Sequence, residues 1–214
     1  MDKKQLENLN EIRNLMEKSS RFLSLSGLSG ISAGIIALAG AAVAFFYLDY
    51  DQRYFDVNRY FIDRMAMKTH YRMDFLILDA VVILALALTA GLYFTRRKAK
   101  KRGLRMWDST AKRLIVNLFI PLGTGGIFCL ILLFHGIFFL VAPVTLLFYG
   151  LALFNASKYT LPELRYLGIS EMILGLAGSV FIGYGLIIWA VGFGILHIIY
   201  GAFMYWKYER EPAA

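Results

Sequence analysis

The sequence contains little cysteine and little charge. Its single cysteine, Cys129, lies inside an apolar block, which excludes an intrachain disulfide. Charged residues make up only 18% of the 214 residues, and no stretch has the zinc, phosphate-loop or nucleophile-elbow spacing typical of many enzymes. The alternating strands typical of outer-membrane barrels are also absent from the sequence. We therefore expect a non-enzymatic protein without a cofactor or a metal site.

Hydrophobic residues are abundant and lie in long blocks. They make up 58% of the chain, and the mean hydropathy is +0.57. A hydrocarbon core of about 30 Å needs about 20 helical residues, and a helix satisfies its backbone polar groups internally. The blocks therefore predict an all-α integral membrane protein with six transmembrane helices, two pairs of which are joined by short hairpins. The predicted spans are residues 22–48, 75–94, 114–134, 137–154, 164–182 and 186–206.

The distribution of lysine and arginine predicts the orientation of these spans. Cationic residues are retained on the cytoplasmic side of a membrane. Most of the 23 Lys and Arg residues lie in segments that share a side with the two termini, and the remainder lie in the loop 49–73. This indicates a multi-pass protein of the plasma (inner) membrane with both termini inside. Residues 207–214 would then be a cytoplasmic tail.

Two segments outside the spans have a pattern of their own. In residues 1–21 apolar side chains recur at helical spacing among charged ones, which predicts an amphipathic cytoplasmic helix. Residues 96–113 are strongly basic, with Asp108 as their only acid. Such a charge holds a loop inside and attracts anionic lipid headgroups. Nucleic-acid binding is not expected, because no recognition fold surrounds the charge.

The first span carries small side chains on one face. Small residues let two helices approach closely, whereas lipid gains nothing from them. This seam therefore predicts a helix-packing face, either within the chain or toward a second copy or a partner subunit. Its members recur at steps of three or four residues and are Ser26, Gly30, Gly34, Ala37, Ala41 and Ala44.

Residues 168–201 are predominantly apolar, and only one carboxyl group, Glu171, and one imidazole, His197, can carry charge there. Each belongs to a seam of small residues, and a rise of about 1.5 Å per residue places both at a similar depth on consecutive helices. We expect the two to meet, with Asn117 at the same inner level. Asp79 and His135 are expected to form a separate outer polar group.

An ionisable residue inside a membrane needs a partner or a wet cavity. A Glu171–His197 contact would be either a structural clasp or a site that passes a proton or a small solute. The first hypothesis is thus a non-enzymatic bundle that handles a proton or small solute. The alternatives are a membrane-embedded partner subunit that uses the first-span seam and, least favoured, an intramembrane hydrolase that uses Asp79, Glu171 and His197.

Overall fold

The computed structural model of the protein describes Phe22 and residues 24–47, 69–103 and 107–210. Within these ranges the chain forms helices and no strand, as the sequence predicts. The main helices are α1 (Gly27–Tyr47), α2 (Thr69–Lys101), α3 (Ser109–Phe134), α4 (Val141–Ala156), α5 (Leu164–Val180) and α6 (Gly185–Tyr208). A 3₁₀ turn, Phe138–Leu140, precedes α4. The predicted helix in residues 1–21 and most of the loop 49–73 lie outside the described residues.

Among the described residues, five helices are long and apolar enough to cross a membrane: α1, α2, α3, α4 with its preceding 3₁₀ turn, and α6. Helix α5 has 17 residues, slightly fewer than a hydrocarbon core of about 30 Å requires of a straight helix. The six predicted spans therefore correspond to six helices, of which one is short. Many large apolar side chains of α2 and α3 are exposed on the surface of the bundle.

Glycines with positive φ make the two short joints. Gly136 has a φ of 68° between α3 and α4, and Gly183 has a φ of 102° between α5 and α6. Only glycine adopts this region without a steric penalty, so the chain reverses within a few residues. The FHG and GYG segments are thus turns, as their composition predicts.

The irregular part of the bundle lies in α6. The sequence segment Pro121–Gly126 predicts a kink in α3, and Pro121 lies inside that helix, which extends from Ser109 to Phe134. In α6, by contrast, residues Ala190–Leu196 form a π-helix between two α-helical parts. Wide helical turns of this kind often accompany functional sites.

The first helix packs between α2 and α6, while α4 contacts α3, α5 and α6. Five of the six seam residues of α1 are buried, and Gly30 is partly buried. A Cβ at Gly34 would lie 2.6 Å from the carbonyl oxygen of Gly194, and one at Gly30 would lie 3.1 Å from the Cα of Gly201. The seam is therefore a packing face within the chain, in contact with α6.

One end of the bundle, where α1 and α5 begin and α2 and α6 end, holds two ionic clusters in the described part of the chain. We call it the charged end. In the first cluster, Glu209 accepts hydrogen bonds from the backbone N–H of Gly27 and the hydroxyl of Ser26. The ammonium of Lys98 lies 3.4 Å from the same carboxylate and donates to the carbonyl of Leu25. A carboxylate at a helix N-terminus interacts favourably with the positive end of the helix dipole, so Glu209 stabilises the start of α1.

The second cluster joins α6 to the start of α5. Lys207 and Tyr208 both donate hydrogen bonds to Oε1 of Glu163, at 2.5 and 2.7 Å. Burial alone would raise the pKa of the Glu163 carboxyl, but the hydrogen bonds from Lys207 and Tyr208 outweigh burial and lower that pKa.

This lowered pKa makes stability depend on pH. A glutamate in an unfolded chain has a pKa of about 4.3, so Glu163 stabilises the fold above that pH and loses this effect as the pH falls through its folded pKa. Between about pH 6 and pH 3 we expect the thermal unfolding midpoint to fall further for the wild type than for Glu163→Gln. Equal decreases in the purified, detergent-solubilised proteins would contradict this role of Glu163.

Candidate functional site

Helix α5 buries Glu171 at its closest approach to α4. Gly168 and Gly175 lie on either side of Glu171 along one face of α5. A Cβ at Gly168 would be 2.7 Å from the carbonyl oxygen of Gly150, and one at Gly175 would be 2.7 Å from the backbone nitrogen of Leu147. The two glycines therefore bring the backbones of α4 and α5 together. Between them the side chain of Glu171 is completely buried.

His197 of α6 lies directly beside this carboxyl group. Its Nδ1 is 3.4 Å from Oε1 of Glu171, which is within ion-pair distance. The same nitrogen is 3.0 Å from the carbonyl oxygen of Gly192. Because a carbonyl oxygen only accepts hydrogen bonds, Nδ1 carries a proton and donates a hydrogen bond to the carbonyl of Gly192. Among the described residues, neither oxygen of Glu171 has a hydrogen-bond partner.

Tyr149 of α4 contacts the opposite side of the imidazole. Its hydroxyl oxygen is 2.8 Å from Nε2 of His197. With Nδ1 protonated and the ring neutral, Nε2 is an acceptor, so the tyrosine hydroxyl donates to it. Tyr149, His197 and Glu171 thus form a continuous row of polar groups drawn from α4, α6 and α5.

Gly192, in the π-helical part of α6, makes room for the carboxyl group. A Cβ at Gly192 would lie 2.5 Å from Oε2 of Glu171 and 2.5 Å from Cδ2 of Leu146. Its carbonyl oxygen also orients the imidazole of His197. The π-helical segment therefore positions both members of the pair.

Aromatic rings cover the site on the α6 side. The ring of Phe193 is 4.9 Å from those of Trp189 and Tyr149, and it stacks on the imidazole of His197 at 5.8 Å. Trp189, Phe193 and Tyr149 are each partly exposed, whereas Glu171 is not. The rings therefore extend from the surface of the bundle to His197.

Asn117 has different partners from those expected. Its side-chain amide donates to the carbonyl of Arg113, and Asn155 donates to its backbone and side-chain oxygens at 3.0 and 3.2 Å. An α3–α4 contact therefore satisfies Asn117, and the expectation that it joins Glu171 and His197 is corrected. The predicted depth was similar, but depth does not determine which face of α3 a residue occupies.

The two outer polar residues lie on different elements. Asp79 is on α2, and its Oδ1 would be 3.6 Å from a Cβ at Gly40 of α1. His135 follows the last residue of α3, with its ring 5.4 Å from that of Phe134. Asp79 thus belongs to the α1–α2 contact, whereas Glu171 and His197 belong to the α4–α5–α6 contact.

The sequence interpretation missed Tyr149 and Gly192. Tyr149 is the only tyrosine in Val141–Ala156 and precedes Gly150, at the centre of an apolar helix where an aromatic hydroxyl needs a partner. Gly192 gave a weaker signal, since one more glycine in a glycine-rich helix does not reveal a neighbouring carboxylate.

The arrangement is suited to proton chemistry. A carboxyl group, an imidazole and a phenol in contact can exchange protons without large movements. In the described part of the chain, no group of three His, Cys, Asp or Glu side chains is placed to hold a metal ion. The chain matches no protein family, no curated protein and no solved structure, so the site is interpreted from its own geometry.

Proposed function

We propose that the protein is a non-enzymatic, multi-pass protein of the plasma (inner) membrane that takes up and releases a proton, coupled to a small solute, at Glu171 and His197. The observation that supports this proposal is that the carboxyl group of Glu171 is completely buried beside His197. Neither of its oxygens is satisfied by the described residues. An unpaired charge in such a place costs several kcal/mol, so the pair favours a state without net charge.

One proton makes the pair neutral. If the proton is on the carboxyl group, both side chains are uncharged, and if it is on the imidazole, the two charges cancel at 3.4 Å. Removing this proton leaves a buried negative charge, which another positive charge must replace. The site is therefore suited to exchange a proton for a second ligand.

A purely structural clasp fits the geometry less well. Clasps between membrane helices gain about 0.6 kcal/mol from an interhelical hydrogen bond, and this requires the polar atoms to be satisfied. Here the Nδ1 proton points to Gly192, and the two carboxyl oxygens accept no hydrogen bond from the described residues. The two unsatisfied oxygens of Glu171 therefore support a ligand-binding site.

Proton movement in proteoliposomes tests this proposal. Purified protein reconstituted with an internal pH-sensitive dye should carry protons when a pH gradient is imposed and a monovalent cation is supplied on the alkaline side, because another positive charge must replace each proton. Glu171→Gln should reduce the flux to about that of empty vesicles, since an amide does not exchange protons near neutral pH. Asn117→Ala, in the separate α3–α4 contact, is the matched control and should retain the flux. Equal fluxes for wild type and Glu171→Gln would contradict the proposal.

The proposed orientation places the charged end in the cytoplasm. Two single-cysteine variants, Asn58→Cys and Lys100→Cys, each in a Cys129→Ser background, should differ in labelling by a membrane-impermeant thiol reagent added to intact cells. Asn58→Cys should be labelled in intact cells and Lys100→Cys only after lysis, because basic segments remain inside. The opposite pattern would reverse the orientation.

Lipid is the proposed partner of the exposed surface of the helix bundle. The exposed apolar side chains of α2 and α3 would face hydrocarbon, since such surface is otherwise covered by protein. At the charged end, Arg96, Arg97 and Lys100 are exposed while Glu163 and Glu209 are engaged inside the bundle. The surface of the basic segment 96–113 is therefore suited to anionic lipid headgroups.

A further inference from the structure

We infer that the solute exchanged at this site is a monovalent organic cation with apolar groups. This inference rests on the proposed function and names its solute class. The chemistry that supports it is the combination of a buried, unsatisfied carboxyl group with a group of aromatic rings around the neighbouring His197.

The charge of the site determines whether the ligand is a cation or an anion. Among the described residues, the titratable groups in contact with one another at the site are Glu171 from α5, His197 from α6 and Tyr149 from α4. The histidine and the tyrosine already take part in hydrogen bonds with defined partners. Once the shared proton has left, the uncompensated charge is that of the Glu171 carboxylate, so the replacing ligand must be positive.

The aromatic rings select an organic cation over a small metal ion. The faces of Trp, Tyr and Phe attract cations, and the attraction is strongest for weakly hydrated ones such as quaternary ammonium groups. Trp189, Phe193 and Tyr149 supply such faces in contact with one another. A small hard cation instead needs several oxygen ligands. The apolar ring faces offer none, whereas they also provide contacts for hydrocarbon groups on the cation.

The proposed exchange conserves both atoms and charge. The bond between the proton and the Glu171–His197 pair breaks, the proton passes to water, and the carboxylate pairs with the incoming cation. No electron is transferred and no covalent bond to the cation forms. One proton is therefore released for each monovalent cation that is bound, and lowering the pH should displace the cation.

Tetraphenylphosphonium is a suitable probe, because its charge is permanent and cannot be lost with a proton. Binding to the purified protein is measured by equilibrium dialysis, and proton release is measured in weakly buffered solution. The wild type should bind the probe and release about one proton per cation. Glu171→Gln should weaken binding by at least about tenfold, and Phe193→Leu should weaken it by a smaller factor, because it removes one aromatic face and keeps the carboxyl group.

Tetraphenylborate, an anion of the same shape, is the control for simple adsorption to apolar surface and should not compete at the site. Equal binding of the phosphonium by wild type and Glu171→Gln, or binding without proton release, would overturn the inference. If the wild type fails to bind the cation but shows Glu171-dependent proton flux, the solute class is wrong and the proposed function stands. If that flux is absent as well, the proposed function fails too.

Discussion

Replacing Gly34 with Leu is expected to destabilise the bundle by at least about 3 kcal/mol, because inserting side-chain atoms into a packed contact costs about 1–3 kcal/mol even where side chains can adjust. Here they cannot adjust. A Cβ at Gly34 would lie 2.6 Å from the carbonyl oxygen of Gly194 and 3.0 Å from the backbone nitrogen of Ile198. The α1 and α6 backbones would therefore have to separate along the seam.

The measurement for Gly34→Leu is thermal or denaturant unfolding of the purified protein in detergent, together with its elution volume. Ile35→Leu is the matched control, since Ile35 is the adjacent residue and is 57% exposed. The control should behave as the wild type does. If both variants had wild-type stability, the close α1–α6 contact would be wrong. If Gly34→Leu changed only the oligomeric state, the seam would instead be an intermolecular face.

Replacing Glu171 with Gln and His197 with Asn together is expected to leave a folded protein that no longer moves protons. Neutral amides of similar size can still hydrogen-bond between α5 and α6, so the loss of stability should be within about 1 to 2 kcal/mol. Neither amide takes up or releases a proton near neutral pH, so proton flux should fall to the background of empty vesicles.

Single variants complete this experiment by testing whether the two side chains are coupled. Unfolding free energies of the wild type, Glu171→Gln, His197→Asn and the double variant form a double-mutant cycle. Effects that add to within about 0.3 to 0.5 kcal/mol would show that the side chains act independently, which contradicts their contact at 3.4 Å. A double variant with wild-type flux would assign the pair a structural role only.

The meeting of Glu171 and His197 was predictable because two periodicities agree. Each residue belongs to a seam of small residues at helical spacing, which determines its face, and the rise per residue determines its depth. Asn117 had a predicted depth but no seam to determine its face. The structure pairs it with Asn155 on α4 instead.

Other features depend on contacts between segments that are distant in sequence. Glu209 fixes the start of α1 through a separation of 182 residues, and its neighbours in the sequence suggest only a solvated tail. The π-helical part of α6 likewise contains no proline that would predict an irregular helix from the sequence. Helix packing, which the local sequence does not encode, brings Glu209 to the start of α1.

The most direct test of the central claim is to observe the proton on Glu171. Infrared difference spectra between alkaline and acidic buffer should show the carbonyl stretch of a protonated carboxyl group in an apolar setting, because protonation is one way to remove the buried charge. This band should be present in the wild type and in Asn117→Ala, and absent in Glu171→Gln. A wild-type spectrum without any band that is lost in Glu171→Gln or in His197→Asn, in protein that unfolds cooperatively, would show that neither side chain changes its protonation state and would contradict the account.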